Sequence, residues 1–111
     1  MNRANIIEIL RFRIKEGVNR EEFLAEITEY RNYLLSIGEQ IGYISGQTAI
    51  SADGEYVDIS YWCADLNSTD PPTPEMEKFF NRMLEKIDEK TMSDEYFEIF
   101  SDTKNQINEN V

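Results

Sequence analysis

Tyr56-Val57-Asp58-Ile59-Ser60-Tyr61-Trp62 alternates with a period of two, yet neither parity is polar enough to face water. Val57, Ile59 and Tyr61 form an apolar set suited to packing under helices, while Tyr56, Asp58, Ser60 and Trp62 combine rings with hydrogen-bonding groups. Successive side chains on a strand point to opposite faces of its sheet. A strand with two non-solvent faces implies a sheet covered by helices on one side and by a partner or a ligand on the other.

The flanking segments supply the helices. Ile6 to Lys15 alternates as a first strand, with Ile6, Leu10, Phe12 and Ile14 on one side and Glu8 as the polar break in that set. Gly17 closes it. Asn19, followed by Glu22, is a capping-box variant that opens a helix with a stripe of Phe23, Leu24, Ile27, Tyr30, Leu34 and Ile37. Gly38 and Gly42 bracket the end of that helix, and Tyr43 to Ser51 follows as a weaker strand in which Gly46 marks a candidate bulge. Asp53-Gly54 is a hairpin signal leading into the strand that ends at Trp62. Asp65 to Pro72 reads as a loop, and Thr73-Pro74-Glu75 caps a second helix with Met76, Phe79, Phe80, Met83, Leu84 and Ile87 as its buried stripe. Ser93-Asp94 turns the chain into a last strand, Glu95 to Phe100. From Ser101 the composition is polar and acidic, so 1–100 is expected to form one domain and 101–111 a tail.

Strand, helix, strand, strand, helix, strand is the order of the split βαβ motif. The expected fold is therefore α+β, a ferredoxin-like sandwich with both helices on one face of a four-stranded antiparallel sheet. The helices are expected to cover Leu10, Phe12, Ile14, Ile44, Val57, Ile59, Phe97 and Ile99. The other parity gathers Ile7, Ile9, Arg11, Tyr43, Gln47, Asp58, Ser60, Trp62, Tyr96, Glu98 and Phe100. That much aromatic surface exceeds what a monomer usually leaves in water, and a second copy related by two-fold symmetry is the simplest cover.

Composition narrows the chemistry. With 111 residues the chain has room for one modest core, and a formal charge of −11 opposes both nucleic acid and anionic membranes. The aromatic face lacks the basic surround that RNA-binding sheets of this topology carry. There is no histidine, which removes the commonest neutral-pH acid–base group, the commonest zinc ligand and Ser-His-Asp triads. A single cysteine, Cys63, excludes an internal disulfide and fits a reducing, cytoplasmic setting, as does the absence of a signal-like or membrane-spanning run. Cys63 reads as a small buried apolar residue, since its acidic neighbours Asp58 and Asp65 oppose thiolate formation.

On three features the chain resembles the dimeric α+β barrel proteins, in particular the antibiotic biosynthesis monooxygenase-like group. These are Phe12-Arg13-Ile14-Lys15-Glu16-Gly17 closing the first strand, Trp62 ending the third, and Ile87-Asp88-Glu89-Lys90-Thr91 before the final strand. The resemblance implies a homodimer with its sheets face to face and a pocket between sheet and helices or inside the barrel. It implies binding of a hydrophobic aromatic or polyketide-type molecule and cofactor-independent oxygenation, with no metal; the alternative is a non-catalytic ligand-binding or stress-response homodimer. Haem-degrading relatives use an asparagine on the first strand, a tryptophan late in the third and a histidine on the next helix. Trp62 fits the tryptophan, but Ile9, Leu10 and Arg11 occupy the asparagine's region and no histidine exists, which argues against haem degradation.

Within that frame Trp62 is a pocket wall or a dimer-core anchor. Arg11 either clamps a ligand oxygen or pairs with Asp58 or Glu98 across the sheet. Asp58 and Glu98, if poorly paired, are the candidate general bases for an acidic phenolic substrate. Tyr43, Gln47 and Tyr96 complete the expected substrate-binding set, with Tyr56 a further hydroxyl.

Overall fold

Each element begins where its capping chemistry places it. In the computed structural model, which describes residues 4–63 and 73–101, the side chain of Asn19 accepts from the Glu22 N–H at 3.0 Å and starts α1 (Arg20–Ser36). Thr73 accepts from the Met76 N–H at 3.1 Å, with Pro74 in the first turn, and starts α3 (Pro74–Leu84). Between them lie the short helix α2 (Gly38–Ile41) and the strands β2 (Tyr43–Ile50) and β3 (Tyr56–Trp62); β1 (Ile6–Ile14) precedes α1 and β4 (Ile87–Glu98) follows α3. The β2–β3 turn bends at Gly54, whose φ of 94° lies in the left-handed region that glycine adopts without strain. The expected loop from Asp65 to Pro72 and the tail beyond Ser101 lie outside the described residues.

The strands form one sheet in the order β2-β3-β1-β4, with every neighbouring pair antiparallel. This is the ferredoxin-like arrangement expected from the element order. β4 is longer than expected, beginning at Ile87 rather than Glu95. The register shifts between Arg11 and Arg13, where β4 also runs past the expected Ser93-Asp94 turn. There the Thr91 hydroxyl accepts from the Arg13 N–H at 2.8 Å and donates to the Asp88 carbonyl at 2.6 Å. Two hydroxyl bonds thus carry backbone groups that the shifted ladder leaves over. The irregularity in β2 falls between Tyr43 and Ser45, ahead of Gly46.

The register corrects the expected faces. Phe12 is opposite Tyr56, Leu10 opposite Asp58, Glu8 opposite Ser60 and Ile6 opposite Trp62. The helices therefore cover Tyr56, Asp58, Ser60 and Trp62, and Val57, Ile59 and Tyr61 join Ile7, Ile9 and Arg11 on the opposite face. Phe97, across from Ile7, belongs to that opposite face too. Physically, the helix side accepts Asp58 and Trp62 because helix and strand side chains satisfy their polar atoms, so the apolar set is free to form the other face.

The core sits between α1, α3 and the sheet. Phe12, Phe23 and Tyr56 form its centre, Phe12 stacking on Tyr56 at 5.3 Å and Phe23 meeting both edge-on at 5.8 and 5.6 Å. Ile27, Met83 and Ile87 close around them. A second cluster of Leu34, Ile41 and Tyr43 lies toward the other end of α1, with Trp62 against it. Phe79 of α3 stacks between Tyr30 and Tyr33 at 5.5 and 5.6 Å and ties the helices together. Cys63 is buried.

Candidate functional site

A cavity of about 90 Å³ opens between the two core clusters, floored by the central strands β1 and β3 and roofed by α1 and α3. Its greasy wall comes from Leu10, Ile27, Leu34, Phe80 and Met83. Its polar groups gather at two ends.

The first end is built on β2 and β3. The Arg31 guanidinium reaches down from α1 to pair with Asp58 and donates to the Thr48 hydroxyl at 2.8 Å, while Thr48 donates to the same Asp58 oxygen at 2.9 Å. Burial holds the Asp58 carboxyl above the ordinary range, an effect that Arg31 and Thr48 offset only in part. Beside this pair the Tyr43 ring meets Trp62 edge-on at 5.2 Å. The Tyr43 hydroxyl lies against Arg31 yet has no hydrogen bond among the described residues, although Tyr43 is only 4% exposed. Gly46 makes this crowding possible: a Cβ there would land on the Tyr43 hydroxyl and come within 3.0 Å of Arg31 Nε.

The second end is built on β1 and β4. Glu8 projects from β1 and accepts from the Trp62 indole N–H at 3.1 Å. Tyr96 is its cross-strand neighbour, and the carboxyl of Asp94, opposite Leu10, lies within hydrogen-bonding reach. Among the described residues no cation pairs with Glu8. Burial and then the adjacent Asp94 push its carboxyl up to about 8, against the opposing pull of Tyr96 and Trp62. Burial, seconded by Glu8, also pushes the Tyr30 hydroxyl up to about 12 and raises that of Tyr96.

The set expected on one face is thus divided. Trp62, Tyr43 and Asp58 line the cavity, and Tyr96 stands at its Glu8 end. Glu98 shares that face, opposite Ile6 near the end of β4, but is exposed and outside the lining. Arg11 and Gln47 lie on the opposite face, opposite Val57 and Ile59. The expected Arg11–Asp58 pair cannot form through the sheet; Arg31 takes that position. Arg31 and Glu8 are the residues that sequence reasoning passed over. Both left a trace, Arg31 as a cation four residues after Ile27 beside the stripe of α1, and Glu8 as the acid interrupting the apolar side of β1.

Among the described residues no cluster of three or more potential metal ligands occurs, and no helix is long and apolar enough to cross a membrane. No family model matches the sequence, and no curated protein is recognisably similar to it. Solved structures are similar. SnoaB, a cofactor-independent oxygenase from Streptomyces nogalater, superposes with a TM-score of 0.72 at 14% identity, over 93% of this chain and 100% of that one. Rv0793 from Mycobacterium tuberculosis gives 0.70 at 14% identity, over 91% and 100%. A Bordetella bronchiseptica protein named as a candidate antibiotic biosynthesis monooxygenase gives 0.69 at 14% identity, over 89% and 100%. At such identities the likeness establishes a shared fold.

Proposed function

We propose, for this chain with an antibiotic biosynthesis monooxygenase-like α+β fold, that it binds a small planar aromatic molecule in the helix–sheet cavity and oxygenates it without a cofactor. The observation that supports this most is the cavity itself, apolar along its walls, bordered by Trp62 and Tyr43, and holding an unmatched carboxyl and an unmatched hydroxyl. An electron-rich ring that has lost a proton can reduce dioxygen directly. The protein then has to hold the ring, handle the proton and exclude water. SnoaB, described as a cofactor-independent oxygenase, shares this fold and supports the reading.

At about 90 Å³ the cavity falls short of the several hundred typical of pockets for larger ligands. It suits a single ring; a fused polyketide-type ring system requires Phe80, 36% exposed on α3, to swing outward. Asp58, tied to Arg31 and Thr48, serves in this reading to hold the guanidinium beside the ligand.

The opposite face is proposed as the dimer interface. Ile7, Ile9, Val57, Ile59 and Phe97 form a contiguous apolar patch there, which a second copy would remove from water. Arg11 and Gln47 then lie in the interior between the two sheets. Native mass spectrometry of protein purified gently from its own cells tests both proposals. A dimer retaining an aromatic mass that supports oxygen uptake is expected; a stable monomer overturns the assembly. A retained mass without oxygen uptake favours the second reading, a non-catalytic binding homodimer, for which the paired state of Asp58 speaks.

A further inference from the structure

The two ends of the cavity differ in what they leave unsatisfied. At one end Asp58, Arg31 and Thr48 satisfy one another, and the orphan is the Tyr43 hydroxyl, buried with no partner. A buried hydroxyl without a partner costs free energy, and a ligand oxygen placed against it would recover that cost. At the other end Glu8 has the Trp62 N–H on one side and the Asp94 carboxyl on the other. Two carboxyl groups that close hold a proton between them more tightly than either does alone. The groups that face Glu8 are Trp62 of β3, Asp94 and Tyr96 of β4, Tyr43 of β2, and Tyr30 and Arg31 of α1; α3 presents only Phe80 and Met83. Arg31 is committed to Asp58, so among the described residues nothing cationic neutralises this end.

We propose that Glu8 is the proton-handling residue of this pocket, sharing one proton with the ring hydroxyl of a planar weak acid whose second oxygen accepts from Tyr43. Trp62 and Asp94 are positioning residues for Glu8. The inference rests on the proposed binding of an aromatic ligand in this cavity and adds its class: one ring, a hydroxyl at one end, and a carbonyl-like or nitro-like oxygen at the other. In the shared-proton step the hydroxyl O–H bond breaks, its electron pair stays on the ring oxygen, and the proton joins a Glu8 oxygen. The pair carries a single negative charge wherever the proton sits. A carboxyl that is pushed up to about 8 is matched to such an acid near neutral pH.

4-Nitrophenol is the probe, because it has the required two ends and its ionised form has its own absorption band. Its affinity for the wild-type chain, Glu8→Gln and Asp94→Asn is measured by equilibrium dialysis from pH 5 to pH 10, with the band reporting the bound form. Wild type is expected to bind best near the middle of that range. On the acid side affinity falls as the ring takes its own proton. On the alkaline side it falls about tenfold per pH unit, because Glu8 and the ring are then both anionic. Glu8→Gln keeps the acid limb and loses the alkaline one, reaching a plateau. Asp94→Asn keeps both limbs but moves the alkaline one to lower pH. An alkaline fall in Glu8→Gln equal to that of wild type overturns the assignment of Glu8 and leaves the pocket intact. No binding to wild type at any pH overturns the pocket reading, and this inference with it.

Discussion

Asp58 and Glu8 face the same cavity from adjacent strands, yet their surroundings are opposite. Asp58 has a guanidinium and a hydroxyl on it and reads as half of a neutral unit. Glu8 has an indole N–H, a phenol and another acid, and stays short of positive charge. Similar chemistry around one cavity is thus set to two purposes: one carboxylate is spent on architecture, the other keeps a proton within reach of the pocket. Counting acids in a cleft would not separate them; their partners do.

Breaking the paired end should have the largest effect. Arg31→Ala leaves Asp58 buried without its cation and is expected to cost about 3 kcal/mol in urea-induced unfolding at neutral pH. The loss should shrink as the pH falls and the orphaned carboxylate takes a proton. The Glu8 end should respond in the other direction. Folding raises the Glu8 carboxyl from 4.5 to about 8, so the folded state binds more protons than the unfolded one between those values. Stability from this group is complete at the acid end and declines as pH rises through that window. Glu8→Gln should therefore stabilise the protein by about 2 kcal/mol at pH 8, a figure discounted for the partial exposure of the carboxyl, and change little at pH 4. Equal behaviour of this variant at both pH values would contradict the unpaired state of Glu8.

The smallest effects concern the crowding beside Arg31. Gly46→Ala should cost about 1–2 kcal/mol, because the new methyl group displaces the Tyr43 hydroxyl. Tyr43→Phe removes a hydroxyl that has no partner, so it should change thermal stability by less than about 1 kcal/mol. In the double variant the two changes should couple, with most of the glycine penalty relieved. Additivity would mean that the hydroxyl is not what Gly46 accommodates.

Local chemistry was well written in the sequence. Asn19, Thr73-Pro74 and Gly54 mark boundaries that the structure keeps, because a cap or a left-handed turn depends only on a few neighbouring residues. The order of elements was enough for the sheet topology. The faces of β3 were not legible, and the reason is physical. Hydropathy tells inside from outside only when one face meets water; here both parities are non-solvent, and the decision falls to the register against β1. Phe12 opposite Tyr56 and the reach of Arg31 across 27 residues to Asp58 are long-range facts. β4 began early for a related reason: Ile87 is equally at home as the last apolar residue of a helix stripe and the first of a strand.

Trp62 is the only tryptophan of the chain, and its indole N–H rests on Glu8. The protein therefore carries its own optical gauge of the pocket. Indole emission depends on the charge beside the ring, so the fluorescence of the unliganded protein should titrate with Glu8, as a single step near pH 8 that no dye or label is needed to see. A ligand that enters the cavity beside Trp62 and Tyr43 would move both the intensity and the midpoint of that step. One unlabelled cuvette would then report occupancy and protonation together.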